Sequence, residues 1–328
     1  MGQPIVSVRN LNVWFSTKSR LVRRWKRGAS NVIKAVDGIN FDLFQGETLA
    51  LVGESGSGKT TVARAMMALL RETEGEIRFQ GRNLVGAGRA EKLRLRAGMQ
   101  MIFQDPFDSM NPRETVFKII SEPLAIHRPR MPKSECLDRT ASVLNNVGLR
   151  PPEDFLYRFP HELSGGQRQR VLIASALMLN PTVIIADEPV SMLDASLKVE
   201  ILNLMAQLKQ DHHLTYLLIT HDLALTRYVA DRVIIMYLGE IMESGPIQQV
   251  LAGPRHPYTQ ALIKVVPTLD AVGRRKQVLK GEIPHASNIP SGCRFHPRCP
   301  MVMDICSRKI PEMKTAGDRH RAACHLIP

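Results

Sequence analysis

The sequence predicts an α/β fold with a largely parallel sheet, an inserted helical subdomain and a small cysteine-bearing C-terminal extension. Three observations predict it. Short apolar strands alternate with helical stretches along most of the chain, the pattern of parallel strands joined by helical crossovers. A glycine-rich turn, "GESGSGKTT", lies between one such strand and one such helix. Four of the five cysteines fall in the last 36 residues.

Composition limits the class of protein. The chain has 328 residues, of which 44% are hydrophobic and 23% charged, enough for one large soluble domain and a smaller appendage. The longest uncharged run, residues 171–186, is interrupted by a proline, so no membrane span is predicted. The N-terminus lacks a basic flank followed by an apolar run, so we expect no signal peptide.

The formal net charge of +13 favours a polyanionic partner, either nucleic acid or the acidic inner leaflet of a membrane. The densest basic stretch, Lys18–Arg27, holds six cations in ten residues and one aromatic, Trp25. A solvated loop and a contact with a membrane surface or partner protein both explain this stretch. Charge alone does not choose between them.

Hydrophobic periodicity predicts the elements in order. Strands are predicted at Ile5–Val8, 40–44, Thr48–Val52, Glu76–Phe79, Met99–Phe103, Val183–Ala186, Tyr216–Thr220 and Val233–Met236. A helix is predicted at Lys59–Leu70, and residues 111–178 form a mostly helical inserted subdomain. Proline, glycine and charge clusters place a boundary within 250–285, which divides the chain into domains of residues 1–252 and 253–328.

The turn at Gly53–Thr61 matches the P-loop pattern in the strand-to-helix context that makes the match specific. Glycines let backbone N–H groups close around phosphate oxygens, and the following helix adds its positive N-terminus. Lys59 is expected to reach the β- and γ-phosphates, and the Thr60 hydroxyl to bind Mg²⁺. The predicted nucleotide-binding residues of this loop are Gly53, Ser55, Gly56, Gly58, Lys59, Thr60 and Thr61.

The segment "TVIIADEP", residues 182–189, is an apolar strand that ends in two carboxylates. Asp187 is expected to hold Mg²⁺, and Glu188 to orient or deprotonate the attacking water. An Asp-Glu pair after a strand is a weak signal by itself. Together with the P-loop it predicts a nucleotide hydrolase.

The segment "LSGGQRQR", residues 163–170, is a second helix start suited to an anion. It is the signature of the ATP-binding cassette (ABC) family, which the chain resembles over about residues 5–250. The resemblance implies that this anion is the γ-phosphate of an ATP molecule held by another subunit's P-loop. Two cassettes would therefore pair head to tail around two ATP molecules. The residues that would contact the nucleotide here are Ser164, Gly165, Gly166 and Gln167.

The resemblance implies roles for further residues. Gln104 would contact Mg²⁺ and the attacking water and relay nucleotide state to membrane subunits. Asp194, in "SMLD", would communicate across the dimer, although Met192 stands where alanine is more usual. His221, in "ITHDL", would contact the γ-phosphate, which makes Glu188, His221 and Gln104 the catalytic set.

An aromatic side chain stacks on adenine in this family. Phe15 aligns best with that position, and Trp14 is the alternative.

The C-terminal segments "HPYTQAL", "GCRFHPRCP" and "ACHL" resemble the extension of the dipeptide/oligopeptide branch of bacterial importers. The basic insertion "STKSRLVRRWKRGASNVIKAV" resembles the second of the two ATPase subunits in those systems. The resemblance implies an ATPase subunit that energises import of di- or oligopeptides, or of a related small solute. It would lie on the cytoplasmic face of the bacterial inner membrane with a second, non-identical ABC ATPase, two transmembrane permease subunits and an extracytoplasmic solute-binding protein.

ATP hydrolysis implies a reducing cytosol, where cysteines are thiols or metal ligands rather than disulfides. The spacing of Cys293, Cys299, Cys306 and Cys324 differs from the paired C-x₂-C of common zinc modules. Four thiolates suit either Zn²⁺ or an iron–sulfur cluster, and unligated thiols also fit. The resemblance implies a [4Fe–4S] cluster, because members of this branch carry one at matching cysteines. Cys136 is expected to be an ordinary helix residue.

A soluble ABC ATPase that acts on nucleic acid is the alternative function, and the positive charge favours it. Soluble translation-type members of the family usually carry two cassettes in one chain, and repair-type members have long coiled-coil or zinc-bearing insertions. This chain has one cassette and neither insertion. We therefore expect no nucleic-acid partner.

Overall fold

The computed structural model describes residues 2–16, 32–71, 73–265, 284 and 288–327. The predicted basic stretch Lys18–Arg27 lies outside the described residues, as do residues 266–283 of the predicted boundary region.

Strands and helices alternate along the described chain. The strands are β1 (Pro4–Ser16), β2 (Val32–Phe44), β3 (Thr48–Val52), β4 (Thr73–Phe79), β5 (Arg82–Asn83), β6 (Met99–Ile102), β7 (Val183–Asp187), β8 (Thr215–Thr220), β9 (Arg232–Tyr237), β10 (Glu240–Pro246), β11 (Lys314–Gly317) and β12 (His320–Ala322). The α-helices are α1 (Lys59–Met66), α2 (Arg89–Gly98), α3 (Pro106–Ser109), α4 (Val116–His127), α5 (Lys133–Asn146), α6 (Glu153–Leu156), α7 (Gly165–Leu177), α8 (Ala195–His212), α9 (Leu223–Val229), α10 (Ile247–Ala252) and α11 (Pro257–Val265). Short 3₁₀ helices lie at Pro160–Glu162, His296–Arg298 and Asp304–Ser307. Within the described ranges, no helix combines the length and hydrophobicity needed to traverse a bilayer.

The predicted strands are all present, and their ends differ for identifiable reasons. β1 continues past Val8 because its pairing with β4 shifts register between Arg9 and Asn12, and such a bulge accommodates two exposed polar residues. Helix α1 ends at Met66 because Ala68 adopts a left-handed backbone conformation, φ 51°, which ends a helix. Periodicity did not predict α2, β5 or β10–β12.

The chain folds into two compact units. The first holds residues 1–3, 43–48 and 86–219. In it, β6, β7 and β8 lie parallel, with Val183 opposite both Met99 and Thr215. Every residue of β7 and β8 is buried, as expected for strands covered on both faces. Helices α4–α7 occupy the predicted helical block, and α7 packs on α4 and α5.

Of the residues that the structure describes, the second unit holds those within 4–42, 49–85 and 220–327. Strands β3 and β9 pair in parallel, while β9, β10, β12 and β11 follow one another in antiparallel pairs. Strands β2, β1, β4 and β5 form a separate four-stranded sheet. The loop that follows β3 is the predicted P-loop.

The cysteine-bearing segment is part of this second unit. Strand β12 pairs with β10, with Ala322 opposite Glu243. Cys293, Cys306 and Phe295 share one buried cluster with residues of β3, β9 and α11. The division into domains of residues 1–252 and 253–328 stays a prediction, whereas the described parts of both segments share this hydrophobic core.

A fully buried carboxylate joins the segments. Glu243 accepts hydrogen bonds from the N–H groups of Arg255 (2.7 Å) and His256 (2.8 Å) just before α11. Its side chain also lies 2.6 Å from the Nε2 atom of His320 on β12. Three partners satisfy a group that would be costly to bury unpaired.

Beside it, the ring of His256 is buried in an apolar environment. Its Nδ1 atom accepts a hydrogen bond from the N–H of Tyr258 at 3.0 Å, and its ring packs 5.8 Å from that of Phe295. Burial lowers the pKa of His256 to about 4, because the charged imidazolium would lose its hydration.

We therefore predict an acid-sensitive contribution to stability from His256. The unfolded chain protonates this residue near its ordinary pKa of 6.5, and the folded chain only near 4. This contribution is complete above about pH 6.5 and declines as pH falls toward 4, with a loss of about 2 kcal/mol between about pH 7.5 and about pH 5. His256→Asn keeps an acceptor for the Tyr258 N–H and cannot titrate. Urea unfolding at both pH values should show a smaller loss in the variant, and equal losses would contradict the assignment.

Candidate functional site

The P-loop backbone lies so close to its neighbours that glycine is required at two positions. Gly58 adopts φ 101°, and a Cβ atom there would lie 2.3 Å from the carbonyl oxygen of Ala35. A Cβ atom on Gly53 would lie 2.2 Å from the carbonyl oxygen of Met236. Gly58 precedes α1 and offers no side chain to cap its first N–H groups. Those amides suit an anion.

Lys59, the first residue of α1, extends over this loop. Its ammonium group donates to the carbonyl oxygens of Gly53 (2.8 Å) and Glu54 (2.9 Å) and lies 3.4 Å from the Ser57 hydroxyl. The lysine is buried, whereas Ser55 and Gly56 are exposed and Thr60 and Thr61 are half-buried. The loop thus presents backbone amides and one cation together.

Two aromatic residues end β1 in the same unit. The Trp14 indole N–H donates to Asp37 at 3.1 Å, and the Lys34 ammonium lies 4.5 Å from the Trp14 ring centroid. Phe15 is half-buried. Lys34 and Asp37 therefore already engage Trp14, and stacking of adenine on Phe15 stays a prediction.

His221 lies on the turn between β8 and α9, and its side chain is exposed. Asp222 caps α9 by accepting from the N–H groups of Ala224 (2.9 Å) and Leu225 (3.2 Å). This cap orients the turn that carries His221, and contact of His221 with the γ-phosphate stays a prediction.

In the first unit, Gln104 and Glu188 come together. Gln104 follows β6 and Glu188 follows β7, and the Gln104 amide donates to the Glu188 carboxylate at 3.2 Å. Glu188 has a left-handed backbone, φ 47°, an unfavourable conformation often found at functional sites. Its N–H donates to the carbonyl of Ile219 at 2.9 Å, which holds it there. Asp187, one residue earlier, is buried.

The signature segment forms a capping box at the start of α7. The Ser164 hydroxyl accepts from the Gln167 N–H at 3.3 Å, and the Gln167 side chain accepts from the Ser164 N–H at 3.0 Å. A capping box uses the amides of these two residues alone. The N–H groups of Gly165 and Gly166 are therefore the ones left to an anion.

Asp194 caps α8 in a similar way. Its carboxylate accepts from the Leu197 N–H at 3.0 Å and from the Ser196 hydroxyl at 2.7 Å. These hydrogen bonds lower the pKa of Asp194, since they favour its charged form. The contact of Asp194 across a dimer stays a prediction.

The four C-terminal cysteines lie in one region. Cys293, Cys306 and Cys324 are buried and Cys299 is half-buried, and all are free thiols. Burial raises the pKa of Cys293 to about 11, and the proximity of the other three cysteines adds to the rise. Burial also raises the pKa values of Cys299 and Cys324.

Among the described residues, no three His, Cys, Asp or Glu side chains are placed to hold a metal ion. The nearby histidines have other partners: His296 contacts the carbonyl of Cys293 (2.9 Å), and His325 that of Lys309 (2.8 Å). The structure therefore lends no support to the predicted iron–sulfur or zinc site, which stays a hypothesis.

Sequence patterns did not indicate a role for two arginines of this region. Arg298 pairs with Glu54 of the P-loop through two hydrogen bonds of 2.7 and 3.2 Å. Arg294 pairs with Asp37 and, at 2.9 Å, with Glu240. The "CRFHPRC" segment showed both cations, but no local pattern identified partners so distant in the chain.

Comparison with known proteins places these features in a family. A family model described as "ABC transporter" matches residues 36–191, and one described as "Oligopeptide/dipeptide transporter, C-terminal region" matches residues 242–306. The oligopeptide transport ATP-binding protein AppF of Bacillus subtilis is 47% identical over 99% of this chain and 98% of its own length. The corresponding protein OppF of Salmonella typhimurium is 42% identical over 98% of this chain and 95% of its own.

Solved structures confirm the predicted fold. A dimeric ATP-binding cassette in a post-hydrolysis state with ADP and Pi matches with a TM-score of 0.63 at 28% identity, over 74% of this chain and 98% of that one. The cbiO1 subunit of an ABC transporter complex from Clostridium perfringens matches with a TM-score of 0.63 at 26% identity, over 77% and 92%.

The close approach at Gly58 yields a prediction. Gly58→Ala should weaken ATP binding by at least about tenfold, because the methyl group would collide with the Ala35 carbonyl and the left-handed backbone would be strained. Titration with a fluorescent ATP analogue measures the effect. Gly88→Ala is the matched control, since a Cβ atom at Gly88 meets no atom within 4 Å. Equal ATP affinity in both variants would show that the glycine is dispensable.

Proposed function

This chain belongs to the ABC transporter ATPase family, and we propose that it is the ATP-binding and ATP-hydrolysing subunit of a bacterial importer for di- or oligopeptides or a related small solute. The observation that carries the proposal is a complete set of nucleotide motifs in one chain with a C-terminal region of the oligopeptide/dipeptide transporter type. The relatives named above are oligopeptide transport ATP-binding proteins. They do not favour the nucleic-acid alternative.

Nucleotide binding uses backbone and side chain together. The P-loop amides and the start of α1 surround the phosphates, and Lys59 contacts the β- and γ-phosphates. Thr60, Gln104 and Asp187 would hold Mg²⁺, which when bound would neutralise charge on the phosphates. In support, the Lys59 ammonium already lies over the loop, where it donates to the carbonyl oxygens of Gly53 and Glu54. A bound phosphate would compete with these oxygens for the ammonium group.

Hydrolysis uses the pair formed by Gln104 and Glu188. Their hydrogen bond of 3.2 Å places an amide and a carboxylate where both can orient one water molecule. Glu188 accepts a proton of that water as the water oxygen bonds to the γ-phosphorus, the bond between this phosphorus and the bridging oxygen breaks, and ADP leaves. His221 contacts the γ-phosphate.

Two cassettes cooperate in this scheme. The amides of Gly165 and Gly166, which the capping box leaves unused, bind the γ-phosphate of the ATP held by the partner, and Asp194 contacts that partner. The partner is a second, non-identical ABC ATPase. ATP favours the closed pair and hydrolysis favours the open pair, so differential affinity for two states does the mechanical work.

The remaining partners follow from the transport role. Two transmembrane permease subunits receive the motion, and an extracytoplasmic binding protein delivers the solute. The chain is a peripheral protein of the cytoplasmic face of the inner membrane.

A [4Fe–4S] cluster on Cys293, Cys299, Cys306 and Cys324 is part of the proposal. Four thiols in one region form a suitable donor set. A single Zn²⁺ bound by the same four thiolates is the alternative. Cys293, Cys299, Cys306 and Cys324 would each supply one thiolate to the cluster. Its contribution would be to stabilise the C-terminal segment.

We predict that Glu188→Gln abolishes ATP turnover in the assembled complex while ATP binding persists, because the amide cannot accept a proton. Phosphate release and binding of a fluorescent ATP analogue measure the two effects. Glu153→Gln, an exposed acid in α6, is the control. Unchanged hydrolysis would assign the activity to the partner's site, and mass spectrometry of the same complex identifies that partner.

For the cluster, we predict about four iron atoms per chain and broad visible absorbance after anaerobic purification. Cys299→Ser should reduce both, whereas Cys136→Ser, in α5, should change neither. Protein that contains neither iron nor visible absorbance would end the cluster proposal, and about one zinc per chain would favour the alternative metal.

A further inference from the structure

The side chain of Arg298 connects the cysteine-bearing segment to the P-loop. Its two terminal nitrogens donate to the two carboxylate oxygens of Glu54 at 2.7 and 3.2 Å. The Arg298 side chain is 5% exposed, so solvent and salt screen this pair weakly. Two parallel N–H···O bonds are the strong, oriented form of an arginine–carboxylate pair.

Glu54 is the second residue of the P-loop, and three groups hold it. Its N–H donates to the Tyr258 hydroxyl at 3.0 Å. Its carbonyl oxygen accepts from the Lys59 ammonium at 2.9 Å, and its carboxylate binds Arg298. One residue therefore contacts both the C-terminal segment and the lysine expected at the phosphates.

A buried aromatic cluster supports the arginine. The rings of Tyr237, Tyr258 and Phe295 lie 4.8 to 5.4 Å apart between centroids, and all three residues are fully buried. Arg298 also donates to the Tyr237 hydroxyl at 3.3 Å. Close packing restricts these side chains to defined rotamers, so the guanidinium occupies a defined position rather than the end of a mobile surface arm.

A carboxylate in this loop opposes the binding of a polyanion. The triphosphate of ATP is negatively charged, and an unpaired carboxylate on Glu54 would repel it. Arg298 neutralises Glu54 and directs its carboxylate toward the C-terminal segment. The same segment pairs a second acid, since Arg294 binds Asp37, the acceptor of the Trp14 indole N–H.

We infer that Arg298 is a positioning residue for the nucleotide site: it neutralises and orients Glu54, so that the C-terminal segment sets the affinity of this chain's own P-loop for ATP. The inference rests on the proposed function in taking ATP as the ligand. The competing explanation is that the pair only fastens the C-terminal segment to the rest of the unit.

The two explanations differ in what removal of both charges does. In the assembled complex, Arg298→Gln should raise the KM for ATP and the dissociation constant of a fluorescent ATP analogue about tenfold, with kcat little changed, because an unpaired carboxylate then opposes the phosphates. The double variant Glu54→Gln/Arg298→Gln should recover most of the affinity, because no charge is left unpaired. A mere fastening role predicts no such rescue.

Arg308→Gln is the matched control. Arg308 is an exposed arginine of the same C-terminal segment, so its replacement removes the same charge and should leave the KM unchanged. An unchanged KM in Arg298→Gln, or a double variant that binds ATP no better than Arg298→Gln, would overturn the inference.

Two further outcomes are separable. If Arg298→Gln does not assemble, Arg298→Lys carries the test: it keeps the charge but loses the forked geometry, so the KM should rise by a smaller factor, and an unchanged KM counts against the inference. Failure of the wild-type complex to bind ATP would instead contradict the proposed function.

Discussion

The nucleotide site depends on backbone N–H groups that the fold leaves without a side-chain cap. Helices α7, α8 and α9 begin at Ser164, Asp194 and Asp222, whose side chains accept from the first-turn amides. Helix α1 begins after Gly58, which has no side chain to do so. An uncapped helix start is unfavourable until an anion meets it. An anion at this helix start would supply the missing acceptor, which is the role proposed for the phosphates of ATP.

The cost of that arrangement is met by rigid surroundings. The backbone at Gly53 and Gly58 lies so close to the carbonyl oxygens of Met236 and Ala35 that neither position has room for a Cβ atom. The Ser57 carbonyl accepts a hydrogen bond from the Gly239 N–H at 2.9 Å. Glu54 of the loop also donates its N–H to the Tyr258 hydroxyl, and its carboxylate accepts from the Arg298 guanidinium. A loop held by these contacts loses little further conformational entropy when it binds a ligand.

The C-terminal segment is part of this support rather than an addition to the surface. Its Cys293, Cys306 and Phe295 lie in the same buried cluster as Tyr237 of β9 and Tyr258 of α11. Its strand β12 extends the sheet beside β10, and His320 contributes a partner to the buried carboxylate of Glu243. Loss of the segment would expose this aromatic cluster. It would also leave the buried Glu243 carboxylate without one of its hydrogen-bond partners, which is costly.

The sequence by itself determined the motifs and most of the strands, because these depend on local spacing. Three features can be recognised without knowledge of the fold: the glycine positions in residues 53–58, the apolar run before Asp187 and the helix start at Ser164. Tertiary structure alone decided which distant groups meet. The pairing of Glu54 with Arg298 spans 244 residues, and the burial that lowers the pKa of His256 comes from strands and loops that no local pattern indicates. Short strands such as β11 and β12 carry too few residues for a periodic signal, and they form because a neighbouring edge is present to pair with.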